Sequence, residues 1–412
     1  MNTSCKEIFG NMDLSGDTTV SSYVAINTAS KTAAPAEEFT LSITKIGDGT
    51  VTWSSSDPAI AEVQGAGLSA KVIAKKSGNA TITANVAAAG NYQAGSAKCA
   101  VKVRVQNLDQ MTEELSAEGS EVSVYLADGL SITLPGKYPI KDKVFHIIGN
   151  ESNPATIAMG SDAIEVNNGF TIENVIFDGE ALGTNTKPLI RMSDPQEAGL
   201  NDKGLFEIAK IEFDNVTVNN LKAQFFAINK KAFFIKDFNF NNGKIVLNGF
   251  AKKAIFDLQN SGFVVNINIT NSVAYAKGTD NQFQNGSFIS TQSSKSASDV
   301  SDDADLKQTV TFTGNRFYNI APSNHFGNFR SGNQKWGIYV VQNNKVSDCG
   351  KKGQFIVGVN GKGSIGKDYL DNWTASGNCV NHSGDDQAEA ENTKCGIEGA
   401  CVAGTVDVSD LK

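Results

Sequence analysis

The sequence predicts an all-β protein in two parts, a small β-sandwich followed by a right-handed parallel β-helix, a solenoid. Three observations carry that expectation. Short alternating strands separated by turns fill the first hundred or so residues, an apolar-x-Asn-apolar-x-apolar unit recurs after them, and Phe is abundant, 23 of 412 residues. A chain of this length buries a sizeable core and has room for two or three domains.

The first part holds "VTWSSSDPAIAEVQGAGLSAKVIAKKSGNATITANV", residues 51–86. Val51 and Trp53 alternate with polar residues, "SSSDP" supplies a turn, Ile60 and Val63 follow, and "KVIAKKSGNATITA" gives two more strands around Gly78. Strands and turns at this spacing build a sandwich. Trp53 sits in strand alternation, so it reads as a core anchor rather than a platform for a sugar ring.

These residues resemble the bacterial immunoglobulin-like domain of group 2, whose pattern is met by Trp53, Ser54, Ser55, Pro58, Ala61, Val63 and "GNATITA" at 78–84. The resemblance spans residues 20–105 and implies an immunoglobulin-like β-sandwich, a spacer or adhesive module of a cell-surface or secreted protein, with no catalytic residue. The domain is placed at 20–106, after an N-terminal tail, 1–19.

Beyond it the unit appears as "IENVIF" (172–177), "FDNVTV" (213–218) and "IKDFNF" (235–240), and in relaxed form as "FTGNRF" (312–317), "VQNNKV" (341–346) and "ASGNCV" (375–380). Second short strands recur as "IEV" at Ile164, "IRM" at Ile190, "FAI" at Phe226, "FDL" at Phe256, "FIS" at Phe288, "FRS" at Phe329 and "IVG" at Ile356. A supersecondary unit returning every 20–50 residues signals a solenoid or a propeller. Propeller blades need four even antiparallel strands, whereas these units have two or three very short ones, so a parallel β-helix is predicted over 107–385, with 386–412 as a C-terminal tail or cap. "DQMTEELSAEG" precedes it as a short capping helix.

Asn tolerates the left-handed backbone of a sharp corner between strands, and its amide can bond to the next coil as a ladder. Asn174, Asn215, Asn315, Asn344 and Asn378 are therefore assigned to structure rather than chemistry. The apolar positions between them, Ile172, Val175, Phe177, Phe213, Val216, Val218, Ile235, Phe238 and Phe240, are expected inside.

The repeats resemble the pectate-lyase-like β-helix superfamily. With "VYLADG…ITLPG…IIG" and "FTIENVIFDG", the pairing with an immunoglobulin-like module is similar to surface lipoproteins of Bacteroidetes. This resemblance covers residues 108–385. It implies the fold and leaves activity open, because the architecture hosts lyases, hydrolases, adhesins and inert binding proteins.

The formal net charge of −8 and only four arginines, Arg104, Arg191, Arg316 and Arg330, argue against a nucleic-acid partner. No run of 18 apolar residues offers a membrane span. Gly, Asn, Ser and Thr are plentiful, as in surface and secreted β proteins, so export with a removed leader is expected, to the extracellular space or the outer-membrane surface. "TSC" at 3–5 resembles the tail of a lipoprotein cleavage box and makes Cys5 the candidate lipid anchor. Cys395 and Cys401 form a candidate disulfide, and three histidines without a CxxC give no zinc site.

A lyase needs calcium-holding acids and a basic residue to take a proton beside a uronate carboxylate. Arg191 and Arg330 hold the same outward position in "IRM" and "FRS", but no aspartate cluster shares their strands. A hydrolase needs spaced carboxylates; Asp385 and Asp386 are adjacent, after the last good repeat. His325 and the acidic stretch 296–308 read as loop residues, and "NMDLSGDTTV" begins like a calcium loop without its closing acid. Calcium is thus the one candidate cofactor, and no metal ligands are assigned.

The lysine pairs Lys230-Lys231, Lys252-Lys253 and Lys351-Lys352 suit an acidic glycan if they converge, and Trp336, Tyr339, Tyr369 and Trp373 are candidate stacking residues, Tyr339 and Trp373 with the alternative of core or edge cover because they sit within repeats. Lys230, Lys231, Arg330 and Trp336 are the expected ligand contacts. The leading expectation is non-catalytic polysaccharide binding along the long face of the helix. The alternatives are a lyase or glycoside hydrolase acting on uronate-containing glycans, and an adhesive or structural surface protein.

Overall fold

The computed structural model describes residues 19–182, 187–248, 253–259, 261–277, 286–291, 297–303, 305–321, 326–328, 337–350, 373–381, 402–403 and 405–411. Strands make up 52% of it and helices 7%, so the chain is all-β as expected. It divides into two compact units, Met1–Val105 and Gln106–Lys412.

The first unit contains two four-stranded sheets. One orders its strands Tyr23–Ile26, Glu38–Ile46, Ser69–Ala74, Ala61–Gln64, and the other Ser30–Ala33, Gly95–Val103, Gly78–Val86, Val51–Ser55. In "GNATITANV" every second residue is buried, so Ala80, Ile82, Ala84 and Val86 point to one face. Ile82 and Val101 of one sheet share a core with Leu41 and Val72 of the other. Trp53 is partly buried against that core, and its indole N–H donates to the Gly67 carbonyl at 3.0 Å. Gly78 is required where it stands, since a Cβ there would lie 2.5 Å from Ile60 Cδ1 and its φ is +149°.

The second unit opens with the helix Leu108–Ser116. The Asn107 side chain accepts the Gln110 N–H at 2.9 Å, and Met111 and Leu115 form the buried stripe. The chain then winds through three parallel sheets, which we call A (nine strands), B (ten) and C (seven). One coil contributes Phe170–Glu173 to A, Val175–Asp178 to B and Ile190–Met192 to C; the next contributes Phe206–Asp214, Thr217–Leu221 and Phe226–Ala227. Each strand pairs in parallel with its counterpart one coil on, as in a parallel β-helix. The tenth strand of B, Val402–Ala403, comes from the segment assigned by sequence to the tail.

The interior is a file of aromatic rings. Phe145 stacks on Phe170 at 5.1 Å, Phe213 meets Phe225 at 4.7 Å, and Phe288 stacks on Phe326 at 4.8 Å. All nine apolar positions expected inside are buried, Ile172 and Phe213 among them. Each such ring contributes roughly 1.5–3 kcal/mol by leaving water.

Candidate functional site

Arg191 points outward from sheet C, between buried Ile190 and Met192. Its neighbour in register is Glu165, 6% exposed, whose Oε1 accepts from Arg191 Nε at 2.9 Å and Nη2 at 2.6 Å. The Lys137 ammonium lies 2.7 Å from the other oxygen and Lys141 3.5 Å from it. Burial works to raise the Glu165 pKa, but the bonds from Lys137 and Arg191 outweigh it and hold the carboxyl below its ordinary value. Beside it Asp162 pairs with Lys187 at 2.6 Å and Arg191 at 3.8 Å, and is lowered chiefly by the Lys187 bond. Arg191 therefore cross-links successive coils through its forked bond to Glu165.

The same outward column continues through Ala227, Asp257 and Ser290. In register Ser290 is followed by Asn328, in the strand Gly327–Asn328. Arg330 itself lies outside the described residues, as do Trp336, Asp385, Asp386, His325, Tyr369, Lys252, Lys351, Lys352, Cys5, Cys395 and Cys401.

Asp257 Oδ2 accepts the Gln224 amide at 3.0 Å, and Oδ1 the Gln259 backbone N–H at 3.3 Å. Burial pushes this carboxyl above its ordinary value against the Gln259 bond and the charges of Lys253 and Lys230. Lys230 occupies a left-handed turn, φ +58°, beside Asp257, whereas Lys231 is engaged with Asp194 at 2.5 Å. The two lysines of this predicted pair therefore face different partners. Tyr339 is buried, and burial pushes its hydroxyl pKa up, so it offers no surface ring.

Sheet A presents a different surface. Along 237–241, 266–270 and 309–313 of the strands Phe233–Asn241, Phe263–Thr270 and Gln308–Thr313 the inward residues are Phe, Ile and Val, and the alternating outward ones are polar and half-buried, whereas Phe234 and Phe263, nearer the strand starts, pack with Leu205 and Val300. In register they form three columns: Asp237, Asn266, Thr309; Asn239, Asn268, Thr311; and Asn241, Thr270, Thr313. Asn266 donates to Asp237 at 2.8 Å, Asn268 to Asn239 at 2.9 Å, and the Thr270 hydroxyl to Asn241 at 2.7 Å. These bonds fix the rotamers and leave oxygen lone pairs and N–H groups facing outward. The signal is the alternation in "KDFNFN", "NINIT" and "TVTFT", whose apolar half marks the interior and whose polar half marks this face.

The asparagines at the corner between sheets A and B do two jobs. Asn174 and Asn215 have φ of +56° and +51°, and Asn215 donates to Asn174 Oδ1 at 2.8 Å. In later coils Gly314, Asn343 and Gly377 take the left-handed position, and the following residue turns inward. There the Asn344 side chain accepts both N–H groups of Asn315, at 3.1 and 3.0 Å, and Asn378 accepts both from Asn344, at 3.0 and 2.8 Å. All three are buried.

Among the described residues no three His, Cys, Asp or Glu side chains stand together to hold a metal, and no helix is long and apolar enough to cross a membrane. No family model matches the chain, and no curated protein matches it.

Proposed function

We propose that this chain is an exported cell-surface protein that binds a polysaccharide along sheet A without cleaving it. In this reading the first unit is an immunoglobulin-like spacer related to the bacterial group 2 domains, and the second is a right-handed, pectate-lyase-like β-helix of the kind found in Bacteroidetes surface lipoproteins, tethered through Cys5. The observation that carries the reading is the outward array on sheet A, which repeats amide and hydroxyl groups in register from coil to coil. A rigid repeating surface suits a linear polymer, because each further sugar meets a preorganised contact at little extra entropic cost. The deciding experiment is affinity electrophoresis of the purified protein through polysaccharide gels, with released sugars assayed in the same samples. Retardation without release is expected; release of products would replace binding with catalysis.

A second reading, a lyase or hydrolase acting on uronate-containing glycans, is favoured by one feature, the raised pKa of Asp257 on the sheet that carries Arg191. The ion pair of Arg191 with Glu165 weighs against it.

A further inference from the structure

We infer that the ligand of sheet A is an uncharged, extended glycan lying along the coil axis. This rests on the binding reading above and adds the chemical class of the ligand. At the centre of the face, three outward residues from each of three strands include one ionisable group, Asp237. Exposed Lys236 adjoins it. One coil earlier, Glu212 and Asp214 stand in the two neighbouring columns, with Glu173 beyond Asp214. The cation on that strand, Lys210, is engaged with Glu212 at 2.5 Å. Four carboxylates thus face two lysines, one of them already paired.

Such a face repels a polyanion. A uronate chain would bring one carboxylate per sugar past Glu212, Asp214 and Asp237, and of the two lysines on those strands Lys210 is already engaged with Glu212, leaving Lys236 to offset them. Sugar hydroxyls, in contrast, both donate and accept, and find carboxylate and amide oxygens, amide N–H groups and threonine hydroxyls. The coils repeat at about 4.8 Å, the spacing of neighbouring strands. That is close to the advance of one pyranose in an extended β-linked chain. A polymer running along the axis therefore meets Asn239, Asn268 and Thr311 in succession, one per sugar. The next coil offers Val340 in that column, an apolar contact for the face of a ring.

The test sets the purified full chain against a panel of soluble neutral β-linked glucans, mannans and xylans, with polygalacturonate alongside, at low and high salt. At least one neutral polymer is expected to retard it independently of salt, and polygalacturonate is not. Replacing Asn239→Ala with Asn268→Ala should weaken the neutral complex about tenfold, the loss of roughly one or two hydrogen bonds. Thr309→Ala with Thr311→Ala provides the same readout should the asparagine variant fail to fold by circular dichroism. Binding of polygalacturonate alone would overturn the neutral class and leave polysaccharide binding standing. Neutral binding unchanged in both folded variants would remove it from sheet A. Retardation by no polymer at all would sink the inference together with the function it rests on.

Discussion

Arg316 and Asp410 join the last described segment of the chain to the outer face of sheet B. The guanidinium Nη1 lies 3.0 Å from one carboxylate oxygen and Nη2 2.6 Å from the other, while Nη2 also reaches the Asp407 carbonyl at 3.2 Å. Around this fork Val406, Val408 and Leu411 cover Val246 and Tyr275, which point outward from sheet B and would otherwise be wet. The spacing of V-x-V-x-x-L matches a strap lying across several coils, so apolar cover and ion pair act together.

The strap should therefore be a local lock. Val408→Asp, which puts a charge into the apolar contact, is expected to open residues 405–411 to protease before the coils are cut. The Arg316 bond holds the Asp410 carboxyl below its ordinary value, so the pair's contribution is present above the ordinary carboxylate pKa and lost as pH falls through the lowered one. Cleavage at the strap should accelerate only at that acid end, and an acid-independent rate would deny the ion pair any part in holding it.

Phe213 should be the costliest aromatic to lose. It lies within 6.4 Å, ring to ring, of Phe170, Phe225, Phe226, Phe238 and Phe240. Phe213→Ala is predicted to cost about 3–5 kcal/mol in a denaturant melt, transfer term plus cavity. A loss below about 1 kcal/mol would mean that neighbouring coils collapse into the space.

The two kinds of corner residue separate in one pair of variants. Asn344→Ala removes an acceptor from Asn315 and a donor to Asn378 in a buried ladder, so a loss of about 2–4 kcal/mol is expected. Asn343, one position earlier, holds the left-handed φ of +57°. Asn343→Gly should be nearly neutral, and Asn343→Val costly, because only the latter fights the backbone. Equal losses in Asn344→Ala and Asn343→Gly would erase the distinction.

That one-residue offset marks how far the sequence was legible. Interior positions such as Phe177 and Phe238 follow from alternation, which depends on the strand alone. The left-handed corners at Asn174 and Asn215 follow from backbone preference, which is equally local. The inward Asn315, Asn344 and Asn378 each sit after a residue that takes the corner first, in "GN", "NN" and "GN", and the doublets hide the shift. Glu165 and Arg191 could not be paired from sequence, since they are 26 residues apart and the coils vary in length. Register is fixed by stacking, a property of the whole solenoid.

Sheet C carries two carboxylates whose pH effects should oppose each other. Glu165 is held below its ordinary value, so its contribution is complete above the unfolded pKa of about 4.3 and fades as pH falls through the folded one. Glu165→Gln should cost about 1–3 kcal/mol at neutral pH, discounted for the exposure of Lys137, and should flatten the acid limb of the stability curve. Asp257 is raised, so the folded state binds its proton more tightly than the unfolded chain does. Its effect therefore favours folding at low pH and declines as pH rises from about 3.9 through the raised value. Asp257→Asn should leave the protein as stable or slightly more so at pH 7, because it removes a carboxyl whose ionised form burial disfavours and keeps an acceptor for the Gln224 amide. Melts of the two variants at several pH values check both signs. Marked destabilisation by Asp257→Asn at pH 7 would mean that the carboxylate is held ionised by Lys230 and Lys253, and would remove the feature that supports the enzymatic reading.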